Sequence, residues 1–389
     1  MYKKYYSRFL AAQSPVLHFA CHSHHYWPDV TRDAHIKYWD DSAKYVDDKW
    51  GHFFSNAIPK AQSFIAKNLN LSSGENIVFA PNTHEFVFRL LSQFLENKTI
   101  KILTTDSEFY SFDRQVNRLS EWSHVEVIKV PTQPFATFSE RFIEAAQKTN
   151  FDLIFFSHVF FNSGFACDID CILMDLKKGP HTIVVDGYHS FMALPIDFKS
   201  HEDRVFFLAG SYKYAQGGEG GCFLHVPHGT SHRPAYTGWF AELAHLDNVS
   251  AATAYPTSAM QYAGSTMDYS AIYRLNAALE LFAEDGITPA EIHAHIRNLQ
   301  RVFIEEMKKN SHPLLNESAL LYYGENLGHF LTFELPSANQ TKKIVDALKD
   351  KHVITDSRGN RLRFGFGLYL SEEDIRKACA LIFKNNAPR

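Results

Sequence analysis

The chain has 389 residues, 45% of them hydrophobic and 21% charged, enough for one large buried core and a second, smaller one. A formal net charge of −4 gives no global attraction to nucleic acid or anionic membranes, and no apolar run approaches the length of a bilayer span. Five scattered cysteines point to reduced thiols in a cytoplasmic protein, and the N-terminal MYKKYYSRFLAAQSP is basic without the apolar stretch of a signal peptide.

Early in the chain, HFACHSHHYWPD brings His22, His24 and His25 close together. No cysteine or carboxylate partner stands at a ligand spacing, so no metal site is expected. Cys167 and Cys171 lack a second pair to complete a zinc site and read as structural. Pro28 and Asp29 introduce a helix from Thr31 to about Val46. A second helix spans Ala57 to Leu69, with Ile58, Ala61, Phe64, Ile65 and Leu69 at helical spacing. Ile77–Phe79 is a short strand. Asn82, followed three residues later by Glu85, predicts a capping box for a helix with Phe86, Leu90, Leu91, Phe94 and Leu95 on one face. A strand feeding a capped helix leaves backbone N–H groups free at the turn, which suits a phosphate. Further strands are predicted at 101–104, 151–156, 181–185, 205–209 and 222–226.

Two of these strands carry chemistry at their ends. One finishes in Val184-Val185-Asp186-Gly187-Tyr188-His189. The next leads into Gly210-Ser211-Tyr212-Lys213-Tyr214, and twenty-seven residues separate the acid from the lysine. Taken alone, a lysine on a turn is a surface residue. An acid and a lysine each just past a strand end, where open α/β sheets bind ligands, suit pyridoxal phosphate. The amine bonds the aldehyde, and the carboxylate keeps the ring nitrogen protonated so that the ring accepts electrons. A protonated pyridine also supplies the partner that a buried acid needs. Gly217, Gly218, Gly220 and Gly221 then turn the chain into the 222–226 strand; GGEGG is not a dinucleotide fingerprint, because it does not open a helix after a strand.

Downstream, Asp268–Asp285 reads as a long helix linking to a second domain. That domain is expected to hold a helix near Pro289–Lys309, a strand at Phe330–Leu335, a helix at Asn339–Asp350, strand pieces at Val353 and Leu362–Phe366, and a last helix capped by Ser371–Asp374.

DGYH at Asp186–His189, then GSYKY at Gly210–Tyr214 and the glycine cluster, resemble the class V aminotransferase group of pyridoxal-phosphate enzymes, fold type I. Within that group the chain is most similar to kynureninase and its bacterial relatives, from about Phe19 to about Tyr369. The resemblance implies an α/β fold with a mostly parallel seven-stranded sheet, helices on both faces, and a smaller α+β C-terminal domain. It divides the chain into an N-terminal arm and helix contributing to the active site (1–50), a large cofactor domain (51–282) and a small domain (283–389). Lys213 would carry the cofactor, Asp186 face its ring nitrogen and His189 lie beside the ring. Asn82, Thr83 and His84 match the phosphate turn, with Ser211 and Tyr212 offering hydroxyls. Phe109, or else Tyr110, would stack on the ring. Asn162 or Ser163 would face its phenolic oxygen. Gly238-Trp239-Phe240 matches a tryptophan segment of kynureninase. Thr266 matches a phosphate contact reaching across from a neighbouring subunit, although Ser265-Thr266 replaces the kynureninase Ser-Asn. Arg363, with Arg358 in reserve, would grip the substrate α-carboxylate, as a planar fork does well.

These expectations describe a homodimer with a shared active site, acting on a small amino acid with no role for nucleic acid or membrane. Kynureninase-like hydrolytic C–C cleavage leads; a class V aminotransferase and a non-catalytic fold-type-I binding protein are the alternatives. Cysteine desulfuration is disfavoured, because no cysteine lies between Cys222 and Cys379 to act as a mobile nucleophile.

Overall fold

The computed structural model describes residues 2–176, 179, 181–245, 253–310 and 312–383. In chain order their strands are β1 (Leu17–His18), β2 (Ile77–Ala80), β3 (Ile100–Thr105), β4 (Val125–Val130), β5 (Leu153–Ser157), β6 (Thr182–Asp186), β7 (Val205–Gly210), β8 (Cys222–His225), β9 (Phe330–Glu334), β10 (Val353–Ile354), β11 (Asp356–Arg358) and β12 (Arg361–Gly365).

Strands β2-β8-β7-β6-β5-β3-β4 form one seven-stranded sheet in that spatial order. From β7 to β4 all neighbours are parallel, while β8 runs antiparallel to both β7 and β2. The reason lies in the sequences LIFFS, TIVVD and VFFLAG, whose continuous apolar character requires cover on both faces. Adjacent strand residues point to opposite faces. Phe155 accordingly stacks on Phe112 of the helix Tyr110–Leu119 at 3.7 Å, and Phe156 meets Phe142 of the helix Phe138–Lys148 at 5.2 Å. Helices therefore cover both sides, and the sheet is the mostly parallel one that the sequence implied.

β4 is the strand that apolar runs do not reveal. It pairs only with β3 at the edge, and Glu126 and Lys129 interrupt its valines and isoleucine. The helices Tyr110–Leu119, Phe138–Lys148 and Ile169–Asp175 likewise lie in stretches the sequence reading passed over.

The predicted cap at Asn82 forms only in half. Asn82 Oδ1 accepts the Glu85 N–H at 2.9 Å, but the Glu85 carboxylate turns to Arg89 instead of back to the Asn82 N–H. Asn82→Ala should cost about 1 kcal/mol of stability in urea unfolding of the cofactor-free protein.

The small sheet is antiparallel, ordered β11-β12-β9. Against it lies the helix Pro289–Lys309, which opens with a full capping box between Thr288 and Glu291. The last helix, Glu372–Phe383, begins with reciprocal bonds between Ser371 and Asp374. The N-terminal arm reaches across: β1 pairs in parallel with β10, Leu17 opposite Val353. The helix Val30–Tyr45 packs along Ser270–Glu284. Among the described residues no helix is long and apolar enough to cross a membrane.

Candidate active site

The parallel strands bring their C-terminal ends to one edge of the sheet, and the chemistry collects there. Ser157, the last residue of β5, sits opposite Asp186, the last of β6. Lys213 follows β7 by three residues, after a turn in which Ser211 C=O accepts the Gly217 N–H at 2.8 Å. β8 starts at the same edge with Cys222, opposite Gly210 on one side and Ala80 on the other. From Ala80 the chain passes into the first turn of the helix Thr83–Ser92. Gly218 and Gly220 adopt φ of +73° and +100° on the way from Lys213 to β8, a backbone that side chains disfavour.

A cavity of about 200 Å³ opens between these ends. Its wall includes Asn82, Thr83, His84, Phe109, Asp186, His189, Tyr212 and Lys213. Eight of the residues singled out from the sequence thus surround one space. Lys213 Nζ lies 2.8 Å from His189 Nε2 and 5.4 Å from the centre of the Phe109 ring. Burial pushes the Lys213 amine down to about 7, with Asp186 opposing the shift. Asp186 is itself raised by burial, while the Tyr188 N–H donated to Oδ1 at 2.8 Å and the Lys213 charge act the other way. Burial, with the Lys213 charge beside it, keeps His189 far below its usual range, so His189 is neutral and can take a hydrogen bond from the amine.

The depressed amine has a kinetic consequence. A lysine attacks an aldehyde only when neutral, so the rate at which added pyridoxal phosphate binds the cofactor-free protein should climb as pH rises through about 7 and then level off. Stopped-flow absorbance reads this directly. An unperturbed lysine would keep accelerating beyond pH 9.

Other expected residues lie elsewhere. Ser211 is buried with its hydroxyl donated to the Gly218 carbonyl, and it does not line the cavity. Asn162 donates to Ser107 Oγ at 3.0 Å, and Ser163 Oγ accepts the Phe165 N–H at 3.2 Å; neither faces the cavity, where Phe161 stands instead. Tyr110 is exposed and leaves the cavity wall to Phe109. Trp239 Nε1 donates to Thr266 Oγ1 at 3.3 Å on an exposed surface away from the cavity. Arg363 is buried, donating to the Phe161 carbonyl at 2.6 Å and paired with Asp356, whereas Arg358 is exposed. The three neighbouring histidines diverge: His22 stacks on Phe330, His24 lies near Tyr212, and His25 Nδ1 meets the Tyr26 carbonyl at 2.7 Å.

The cavity also contains residues that the sequence reading did not single out as site residues, among them Ser157, Phe161, Tyr188 and Cys222. Behind Ser157 lies Glu108, whose carboxyl accepts the Ser157 N–H and hydroxyl at 3.1 and 2.5 Å and the Thr105 hydroxyl at 2.6 Å. Burial raises this carboxyl to about 8. The signal was an acid three residues past Thr105 and beside Phe109, just beyond a buried strand.

Pyridoxal phosphate fits what is present. An amine near neutrality, a carboxylate whose exposed edge faces the cavity, an aromatic ring at the wall and the N-terminal turn of a helix form its natural donor set.

A family model described as aminotransferase class-V matches residues 28–377. Among curated relatives, an uncharacterized aminotransferase YcbU of Bacillus subtilis is 26% identical over 57% of this chain, a match that spans only 56% of its own length. A kynureninase of Bacillus cereus is 25% identical over 80% of this chain and 74% of its own. Among solved structures, the cystine C-S lyase C-DES in complex with its product cysteine persulfide has a TM-score of 0.79 at 17% identity, covering 96% of this chain and 98% of that one. A cysteine desulfurase from Thermococcus onnurineus has a TM-score of 0.76 at 16% identity, covering 95% and 94%.

Proposed function

The chain belongs to the class-V aminotransferase family of pyridoxal-phosphate-dependent enzymes, and from that premise we propose that it cleaves a side-chain carbon–carbon bond of an aromatic α-amino acid by hydrolysis, as kynureninases do. The observation that carries this reading is the Lys213 amine, held by His189 and ringed by Phe109, Tyr188 and Tyr212 at 4.9–5.7 Å. An aromatic wall of this kind favours a flat, apolar substrate side chain. Support also comes from the relatives: the kynureninase match extends over 80% of the chain and the aminotransferase match over 57%.

Pyridoxal phosphate supplies an aldehyde for the substrate amine and a ring that accepts electrons from carbon. The chain's own residues do the rest. Asp186, in the cavity wall, would hold the ring nitrogen in its protonated form. Neutral His189 accepts a hydrogen bond from the Lys213 amine and aims it. Lys213 then removes the substrate α-proton, a task suited to an amine near neutrality. Arg363 orients the substrate carboxylate. Trp239 and Thr266, exposed together and away from the cavity, serve the site of a second subunit in a cytoplasmic homodimer. Cys222, the cysteine in the cavity wall, is buried with its thiol pushed up to about 12, which leaves it no nucleophilic thiolate for desulfuration.

Incubating the holoenzyme with L-kynurenine should release anthranilate and L-alanine, detected by fluorescence and amino-acid analysis. Aminotransfer is the second reading, favoured by the replacement of Ser-Asn with Ser265-Thr266. Amino-group transfer to an added α-keto acid, with no anthranilate, would replace the first reading with the second.

A further inference from the structure

Beside Arg363 stands a polar cluster whose remaining members have no part in the proton transfers above. One oxygen of Asp356, Oδ2, receives side chains from both ends of the chain: Arg363 Nη2, Ser23 Oγ, and the His22 imidazole, whose Nε2 stands 3.6 Å off. The other oxygen, Oδ1, takes the exposed Arg358 at 2.8 Å and the Ser357 N–H at 2.7 Å. His22 is 1% exposed and stacks on Phe330 at 4.8 Å; its Nε2 reaches only Asp356, at a long 3.6 Å, and its Nδ1 has no hydrogen-bond partner among the described residues. The ring is wedged so tightly that a Cβ at position 365 would come within 2.3 Å of its Nδ1, so Gly365 is required there. Arg363 is 3% exposed, and its Nε is also buried without a partner. Buried donors left unmatched are costly, and a structure that keeps several at one point is short of a ligand.

The donors are of the kind that bind a carboxylate: a guanidinium, an imidazole and a hydroxyl converging on one oxygen. One of them is linked to Lys213 through His189. The His22 main-chain carbonyl accepts a hydrogen bond from His189, which in turn contacts Lys213 at 2.8 Å.

We propose that Arg363, His22 and Ser23 form the receptor for the substrate carboxylate, and that Asp356 occupies this receptor as an internal competitor until substrate displaces it. The inference rests on the reading of Arg363 given above and extends it to three residues. Asp356 sits at the start of the β11–β12 hairpin, and its second oxygen keeps Arg358 and the Ser357 N–H when the first is released. The exchange therefore strands neither the arginine nor the aspartate without a partner, which is what a buried ion pair demands. An internal occupant lowers apparent affinity by the fraction of time it is seated, so removing it raises affinity.

Calorimetric titration of the holoenzyme with 3-phenylpropionate tests this, because that carboxylate has no amine to react with the cofactor. Asp356→Asn and Asp356→Ser should bind it roughly tenfold tighter than wild type, and His22→Ala and Ser23→Ala more weakly. Cofactor content, read by absorbance after alkaline release, should match wild type in all four and reports that they fold. Equal or weaker binding by both Asp356 variants overturns the competitor and makes Asp356 a residue that merely orients Arg363. Unchanged binding by His22→Ala and Ser23→Ala removes them from the receptor. Arg363→Ala separates the two levels. If it binds as wild type, the assignment of Arg363 to the carboxylate falls, and this inference with it. If it loses binding while the Asp356 variants fail to gain it, only the present inference falls. Absence of measurable binding by wild type and all Asp356 variants likewise counts against it.

Discussion

Lys213→Ala should abolish the visible absorption of the bound cofactor and lower turnover by at least roughly a thousandfold. The lysine is asked to do two jobs with one nitrogen. It must bond the aldehyde, and afterwards it must move a proton at the substrate α-carbon. Among the described residues no other lysine lines the cavity, and the neighbouring His189 is too strongly depressed by burial to replace an amine of about neutral pKa. The check is direct: borohydride reduction of wild type, followed by peptide mass analysis, should leave a pyridoxyl group on the peptide containing Lys213. A variant that keeps both the absorption and the label would dismiss Lys213 as the attachment point.

Asp186→Ala should weaken cofactor binding by about thirtyfold or more, since removing one member of a buried charge pair costs about 2–5 kcal/mol. The reasoning starts from the free protein. Asp186 stands at the end of β6, held by one N–H from Tyr188, and burial raises its carboxyl to about 6. A protonated pyridine nitrogen relieves that burial and is stabilised in return. Asp186→Asn should show the same direction, because an amide cannot hold the ring nitrogen in its charged form. Fluorescence titration of cofactor-free protein with pyridoxal phosphate measures both. Affinities within a factor of about two of wild type would separate Asp186 from the cofactor, since a charge pair of this kind has a far larger effect.

The sequence made the central pair readable because each member closes an uninterrupted apolar strand. Buried parallel strands leave that signature, and their ends converge by geometry, so the sequence alone brings Asp186, His189 and Lys213 together. The turn at Asn82 in the cavity wall was readable for the same reason: it follows a strand and starts a helix. Edge strand β4 was not, since solvent on its outer side allows Glu126 and Lys129 to break the run. Loop side chains were also beyond reach. Which way Ser211, Asn162 and Ser163 point depends on local bonds to Gly218, Ser107 and Phe165, and no periodicity encodes those. The Asp356 cluster depends on contacts between residue 22 and residue 363, which spacing along the chain cannot express.

The pairing of β1 with β10 joins two segments far apart along the chain, Leu17 opposite Val353. During synthesis the central sheet has all its strands by His225, well before Val353 emerges to receive Leu17. Such a distant contact carries a large loop-closure cost and forms late. The arm can settle earlier against Gln216 and Ser270–Glu284, but His22 and Ser23 meet Asp356 only after residues 353–356 have been made, when the lysine and its acid are already in place. Newly made chains should capture the cofactor before they acquire selectivity for what the cofactor will act upon.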